Sequence, residues 1–413
     1  MTKYGNYQHQ GLNYQNPNDT DNNYFNIDIS NPLIEGTSAS QVKYAEFQIN
    51  STQIILDNPN DYYLTVARFD IPASTIPIFI MQVINNQSDP NLTPYIFCLS
   101  YEGNDYPVNI IWQPMVYTAH PPTTAIPKQD TTNVYYNCYS YQHMINLMNI
   151  ALATSFQQLK TDFPAAPPTK PPILIYNPDN GILSLLVQNS YIQPPISALP
   201  TIQIFANNPL VSTFLIGFNM YYNGLNNTNG KDYMFEINYQ FNNGFSSKDG
   251  SPVANANISN PFYVSGSVAT NVTPSGSSHT VYYYPPDNPP PYLEIKQEYS
   301  TIQYWNSFRS FVFTTGTIPV NTEFVPAIND STGISSNKPI LTDFQVSLNN
   351  PGDVRSQIQY FPQGPYRLID LQSSQPLVSI DIKVFWQDQF GNLRPLAINT
   401  NQTVSIKLLF IHK

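Results

Sequence analysis

The stretch YYLTVARFDIPASTIPIFI, Tyr62 to Ile80, constrains the fold more than any other part of the chain. Its first half alternates, with Tyr63, Thr65, Ala67 and Phe69 on one side and Leu64, Val66, Arg68 and Asp70 on the other, and is rich in strand-favouring residue types. Pro72 and Pro77 then interrupt it. A proline offers no N–H to a sheet ladder, so the chain must bend there and resume as a second strand over Ile78 to Ile84. Lys43 to Leu56 is also strand-like, and Asp57-Asn58-Pro59-Asn60 between the two runs is turn chemistry. The core therefore begins as antiparallel β-structure.

Strand signals dominate the rest of the chain. Thr93–Tyr101 and Tyr106–Trp112 flank Glu102-Gly103-Asn104-Asp105 as a hairpin, and Ile173–Tyr176 pairs with Ile182–Val187 across Asn177-Pro178-Asp179-Asn180-Gly181. Further strands are expected at Ile202–Ala206 and Asp232–Phe241, then from Tyr292 onward at LEIKQEYS, RSFVFTT, Ile340–Leu348, Arg355–Phe361, Val378–Trp386 and Thr403–Ile411. Leu210–Phe218 is apolar but does not choose between helix and strand. One segment breaks the pattern. Tyr141 to Lys160 spaces Met144, Met148, Ala151, Leu152, Ser155, Phe156 and Leu159 by three and four, which predicts an amphipathic helix with Ser140 as N-cap and Pro164 as its stop.

Many strands with one dominant helix predict an all-β fold, a jelly-roll β-sandwich with an inserted β-rich domain carrying that helix. The expected division is an extended N-terminal arm over 1–35, a discontinuous jelly-roll core over 36–120 and 292–413, and an insertion domain over 121–291. Within the insertion, 242–291 reads as a long variable loop of Gly, Ser, Asn and Pro.

Composition narrows the function. Charged residues make up 11% of the chain and aromatics 14%, with 38 prolines, where an average soluble protein carries roughly 25% charge. Surfaces this poor in charge suit a protein covered by neighbours in an assembly. A net charge of −10 disfavours bulk nucleic-acid binding. Two cysteines, Cys98 and Cys138, allow one disulfide but fit free thiols in a reducing compartment better. The N-terminal MTKYGNYQHQ lacks the apolar core of a secretory signal, and no run is long and apolar enough for a membrane-spanning helix. The Asn-x-Ser/Thr triplets at Asn50 and Asn271 are those expected by chance in an Asn-rich chain.

Chemistry is sparse. His9, His120, His143, His279 and His412 are scattered without metal-ligand spacing, and no phosphate-binding glycine loop or hydrolase motif is present. Glu294, Glu298, Asp370, Asp381 and Asp388 could supply a glycosidase pair, but in strand-and-turn sequence such carboxylates are expected as turn caps or as partners of Arg309, Arg355 and Arg367. No catalytic residue, metal or cofactor is expected, and the chain is not expected to be an enzyme.

The C-terminal third carries a resemblance. EYSTIQYWNSFRSFVFTTGTIPVNTEF, KPILTDFQV, YRLIDLQSSQPLVSIDIKVFWQDQFGNLRPL and SIKLLFIHK resemble minor capsid, or penton, proteins of small icosahedral DNA viruses of the polinton, adintovirus and virophage type. YYLTVARFDIPASTIPIFI and Tyr141–Leu186 are similar in flavour; the likeness fails over 242–291. It implies a jelly-roll capsid subunit of the virion, assembled in the host-cell cytoplasm or nucleus. Such a subunit would form pentamers at five-fold vertices and would meet the major capsid protein and other internal or vertex virion proteins. A double jelly-roll major capsid protein is the first alternative; a host-attachment protein binding a receptor or glycan through 242–291 is the second.

Rings need a heterologous interface, in which two different faces of each copy meet. Aromatic and Arg residues near turns dominate interface energetics, so Tyr4, Tyr7, Tyr14, Trp112, Arg367 and Trp386 are the interface candidates. Core packing is an equal alternative for Trp112 and Trp386.

Overall fold

The computed structural model describes residues 23–32, 43–84, 89–115, 134–188, 191, 201–224, 229–237, 292–305, 307–325, 336–345, 357–360, 367–389 and 391–413. It divides into two compact units, one formed by Met1–Pro77 with Ser307–Lys413 and the other by Ile78–Asn306. The dividing points thus fall at 77 and 307, where the sequence suggested 120 and 292. The reason is local: after Pro72 and Pro77 the chain leaves the first sheet, and the 93–112 hairpin pairs with strands that come later in the second unit.

The first unit opens with β1 (Asn23–Asn31), whose Ile27 and Ile29 are buried while Asn26, Asp28 and Ser30 are exposed. This places the last part of the expected arm in a sheet. β2 (Lys43–Tyr44) and β3 (Glu46–Asn50) come next, then β4 (Tyr62–Pro72). The strand expected over 43–56 therefore ends at Asn50.

The second unit holds β5 (Phe79–Ile80), the hairpin β6 (Leu92–Tyr101) and β7 (Asn104–Ile111), β8 (Asn137–Cys138) and the helix α1 (Tyr141–Asp162). The second strand expected over 78–84 is only the two residues of β5, paired with β8. Ser140 caps α1, accepting from the His143 amide at 3.4 Å, and every residue of the expected apolar face is buried. Ser155 ties α1 to the hairpin. Its hydroxyl donates to the Tyr106 carbonyl at 2.6 Å and accepts from the Leu99 amide at 3.0 Å.

Next come β9 (Ile173–Asn177), β10 (Ile182–Gln188) and β11 (Gln203–Ala206). The undecided apolar segment is helical: α2 (Asn208–Leu210) runs on into a wider turn over Val211–Leu215. β12 (Met220–Tyr222), β13 (Tyr233–Phe235) and β14 (Tyr292–Lys296) complete the unit. Its sheets run β12-β13-β11-β6-β7 and β14-β10-β9. Residues 242–291 lie outside the described residues.

Back in the first unit are β15 (Phe308–Thr314), β16 (Glu323–Val325), β17 (Ser336–Lys338), β18 (Ile340–Gln345), β19 (Gln357–Tyr360), β20 (Ile369–Asp370), β21 (Ser379–Asp388), β22 (Leu393–Pro395), β23 (Ala397–Ile398) and β24 (Gln402–His412). One sheet has the order β1-β24-β4-β19 with β20 also on β4; the other has β18-β15-β21, with β3 and β22 also paired to β21. Numbered along the roll, the sheets read first-eighth-third-sixth and second-seventh-fourth-fifth, the order of a jelly roll. The second unit enters the chain between its third and fourth strands.

Aromatic rings bind the two sheets. Phe69 of β4 lies 5.9, 5.3 and 4.8 Å from Phe311, Phe313 and Phe344 of the facing sheet and stacks at 5.2 Å on Tyr360. The strict alternation read along β4 does not survive. A β-bulge between the Val66–Leu408 and Arg68–Lys407 pairs leaves Ala67 as the extra residue. Leu64, Val66, Phe69 and Ile71 are therefore all buried, while Arg68 is exposed.

Candidate assembly interface

Because the roll's sheets cover each other on one side, each keeps an outer face. On the first sheet, the antiparallel register sets Asn26, Lys407 and Arg68 side by side in one row, and Asp28, Ser405, Asp70 and Gln359 in the next row on that face. Lys407 Nζ sits 4.6 Å above the Tyr24 ring. Burial, with the charge of Arg68 beside it, holds the Lys407 ammonium below the usual lysine range.

On the second sheet, Asp343 projects outward from β18, and Arg367 bridges it at 3.0 Å to Glu323 of β16. All three side chains are about half exposed. Two carboxylates share the one Arg367 guanidinium, and Lys338 stands opposite Glu323 on the neighbouring strand. The Lys413 ammonium pairs with Asp370 and the Asn60 carbonyl, and lies 5.0 Å over Tyr63. This fastens β24 beside an open, polar groove of about 640 Å³ lined in part by Asn60, Gln372 and Ser373.

The interface candidates fall into three groups. Tyr4, Tyr7 and Tyr14 lie outside the described residues. Trp112 and Trp386 are core side chains, 1% and 4% exposed. Trp112 Nε1 donates to the Tyr135 carbonyl at 2.8 Å, and its ring meets His143 edge-on at 5.4 Å. The Trp386 ring carries the Arg394 guanidinium at 5.4 Å. Arg367 is exposed but engaged within its own chain.

The carboxylates weighed for chemistry hold turns and cations. Asp381 gathers Thr315 Oγ1 at 2.8 Å, the Gly316 and Thr317 amides at 2.7 Å and Thr317 Oγ1 at 2.8 Å. Asp388 accepts from the Asn392 amide at 2.9 Å and pairs with Arg394 at 2.9 Å. Arg394 was not among the partners expected; its place opposite Trp386 in the β21–β22 hairpin is the signal that points to it. Arg309 is exposed on β15, and Arg355 lies outside the described residues. Glu294 lies in β14 opposite Leu186, and Glu298 is exposed. His143 hydrogen-bonds the Gln113 carbonyl at 2.7 Å, and burial pushes its pKa down. Among the described residues, no three His, Cys, Asp or Glu side chains are placed to hold a metal, and no helix is long and apolar enough to cross a membrane. Cys98 and Cys138 are both buried, and neither is in a disulfide.

A jelly roll with exposed outer sheet faces, charged clusters on both and a large insertion defines a capsid-type structural subunit. The comparisons name the lineage: residues 23–412 match the model of the Sputnik minor capsid protein V18/19 family, and the chain belongs to that family. It is a minor capsid protein, a structural component of a virion. The structural protein V19 of Sputnik virophage is 26% identical over 239 residues, 58% of this chain and 93% of that protein. Protein V18 of the same virophage is 31% identical over 133 residues, 30% of this chain and 78% of that protein. A chain in the cryo-electron microscopy structure of the Sputnik virophage superposes with a TM-score of 0.73 at 26% identity, covering 95% of this chain and 98% of that one. The mavirus penton protein shares the fold, with a TM-score of 0.59 at 14% identity over 95% and 99% of the two chains.

Proposed function

We propose that this minor capsid protein forms closed five-fold rings at the vertices of an icosahedral shell, where it contacts the major capsid protein. The observation that carries this is the complete jelly-roll strand order of the first unit, in a chain matched along nearly its whole length by a minor capsid family. The shared fold of the mavirus penton protein supports the vertex position. The roll supplies the rigid wedge, and Tyr4, Tyr7, Tyr14 and Arg367 contribute to contacts between copies. The role is structural and non-catalytic, and assembly takes place in the cytoplasm or nucleus of the host cell.

Native mass spectrometry and negative-stain imaging of the purified chain test it. A pentamer with a five-fold view is expected; a stable monomer at high concentration, or a trimer of the kind a major shell protein forms, overturns it.

A further inference from the structure

Two cations lie side by side on the first sheet's outer face with no anionic partner among the described residues. Arg68 and Lys407 are directly opposite each other on β4 and β24, and neither has an ion pair or hydrogen bond among those residues; Lys407 meets only the Tyr24 ring and the charge of Arg68. Like charges directly opposite each other on a sheet are unfavourable. They are not an accident of alternation. With unbroken alternation Arg68 would share the buried face of Leu64 and Val66; the bulge at Ala67 turns it outward beside Lys407. Elsewhere on this roll Arg367, Lys383, Arg394 and Lys413 each pair with a carboxylate.

The next row has the opposite sign. Asp28 and Asp70 lie one step along the same face, and Asp70 Oδ1 is enclosed without a hydrogen-bond partner among the described residues. A phosphate polymer attracted by the cations would meet these carboxylates. The complement is a protein surface that presents carboxylates to one row and a donor to the other. The same roll has that composition beside its second sheet: Glu323 and Asp343 flank Arg367, all half exposed, and Lys338 stands opposite Glu323 as a further donor.

We infer that Arg68 and Lys407 dock onto the Glu323–Asp343–Arg367 cluster of a second copy of this chain. This rests on the ring proposed above, in which two different faces must meet. Charge pairs of this kind govern encounter, register and partner choice.

A charge-reversal set tests it, read by sedimentation equilibrium at low salt. Arg68→Glu with Lys407→Glu is expected to raise the ring's dissociation constant about tenfold or more. Glu323→Lys and Asp343→Lys with Arg367→Glu, which reverses the sign of all three charges, is expected to do the same. Combining all five substitutions restores assembly. The neutral pair Arg68→Gln with Lys407→Gln assembles weakly and loses the wild-type dependence on salt. Wild-type assembly by the reversed or neutral pair overturns the inference and leaves the ring standing, as does failure of the five-fold combination to recover while its melting temperature is unchanged. Loss of duplex-DNA retention by the reversed pair with rings intact also overturns it, in favour of a polyanion. A wild-type chain that forms no ring overturns both.

Discussion

Arg394 reaches back across the β21–β22 hairpin to Asp388, and its Nε and Nη2 both donate to one carboxylate oxygen, Oδ2, at 3.0 and 2.9 Å. Asp388 is wholly buried and Arg394 nearly so. A carboxylate in that position is tolerable only with its cation in place. Arg394→Leu is expected to lower unfolding stability by about 3–5 kcal/mol in denaturant titrations, whereas Arg367→Leu, removing a half-exposed cation, costs under about 1 kcal/mol. Equal effects would mean that the buried charge finds another partner.

Asp381 sets an acid limit on the roll. Burial pulls its pKa up, but the hydrogen bonds from Thr315, Gly316 and Thr317 outweigh that and hold it below the usual carboxylate value. A depressed folded-state pKa stabilises the protein above the unfolded value, and the contribution is lost as pH falls through the folded one. Between about pH 5 and pH 2 the wild-type melting temperature should therefore fall more steeply than that of Asp381→Asn. Parallel pH profiles would refute this role.

Two glycines should respond differently to alanine. Gly103 and Gly230 both have positive φ, at +80° and +74°. An added Cβ at Gly103 meets nothing within 4 Å, so Gly103→Ala costs about 1–2 kcal/mol for conformation alone. At Gly230 it would lie 2.5 Å from Ile96 Cγ2 and 3.0 Å from Ile96 Cβ. Gly230→Ala adds overpacking and should cost about 2–5 kcal/mol by thermal or chemical unfolding.

Cys98 and Cys138 should be silent until the inserted unit unfolds. Both are fully buried, and burial pushes the Cys98 thiol up to about 12, with the Asp105 charge adding to it. A maleimide reagent should label neither in the native protein and both in denaturant; rapid native labelling would show that the hairpin opens.

Local chemistry made several elements legible beforehand. α1 follows from three-and-four spacing, the Ser140 cap and Pro164; the β6–β7 and β9–β10 hairpins follow from their turn residues, and β24 from its strand-favouring, largely apolar run. Each depends on residues within a few positions of one another. The resemblance along the C-terminal third pointed to the family that the comparisons name. The interface candidates were less legible, because residue type alone does not separate a buried Trp112 or Trp386 from an exposed one.

The sequence by itself determined an antiparallel β-protein with one long helix, poor in charge and built for an assembly, since periodicity, proline and turn chemistry act locally. Only the tertiary structure decided which strands share a sheet, that the second unit interrupts the roll between β4 and β15, and that Arg394 belongs to Asp388. It also turned Arg68 outward, against the alternation of its own strand. That outcome depends on where the β24 ladder gains a bulge against β4, a pairing between residues more than three hundred positions apart that no local pattern encodes.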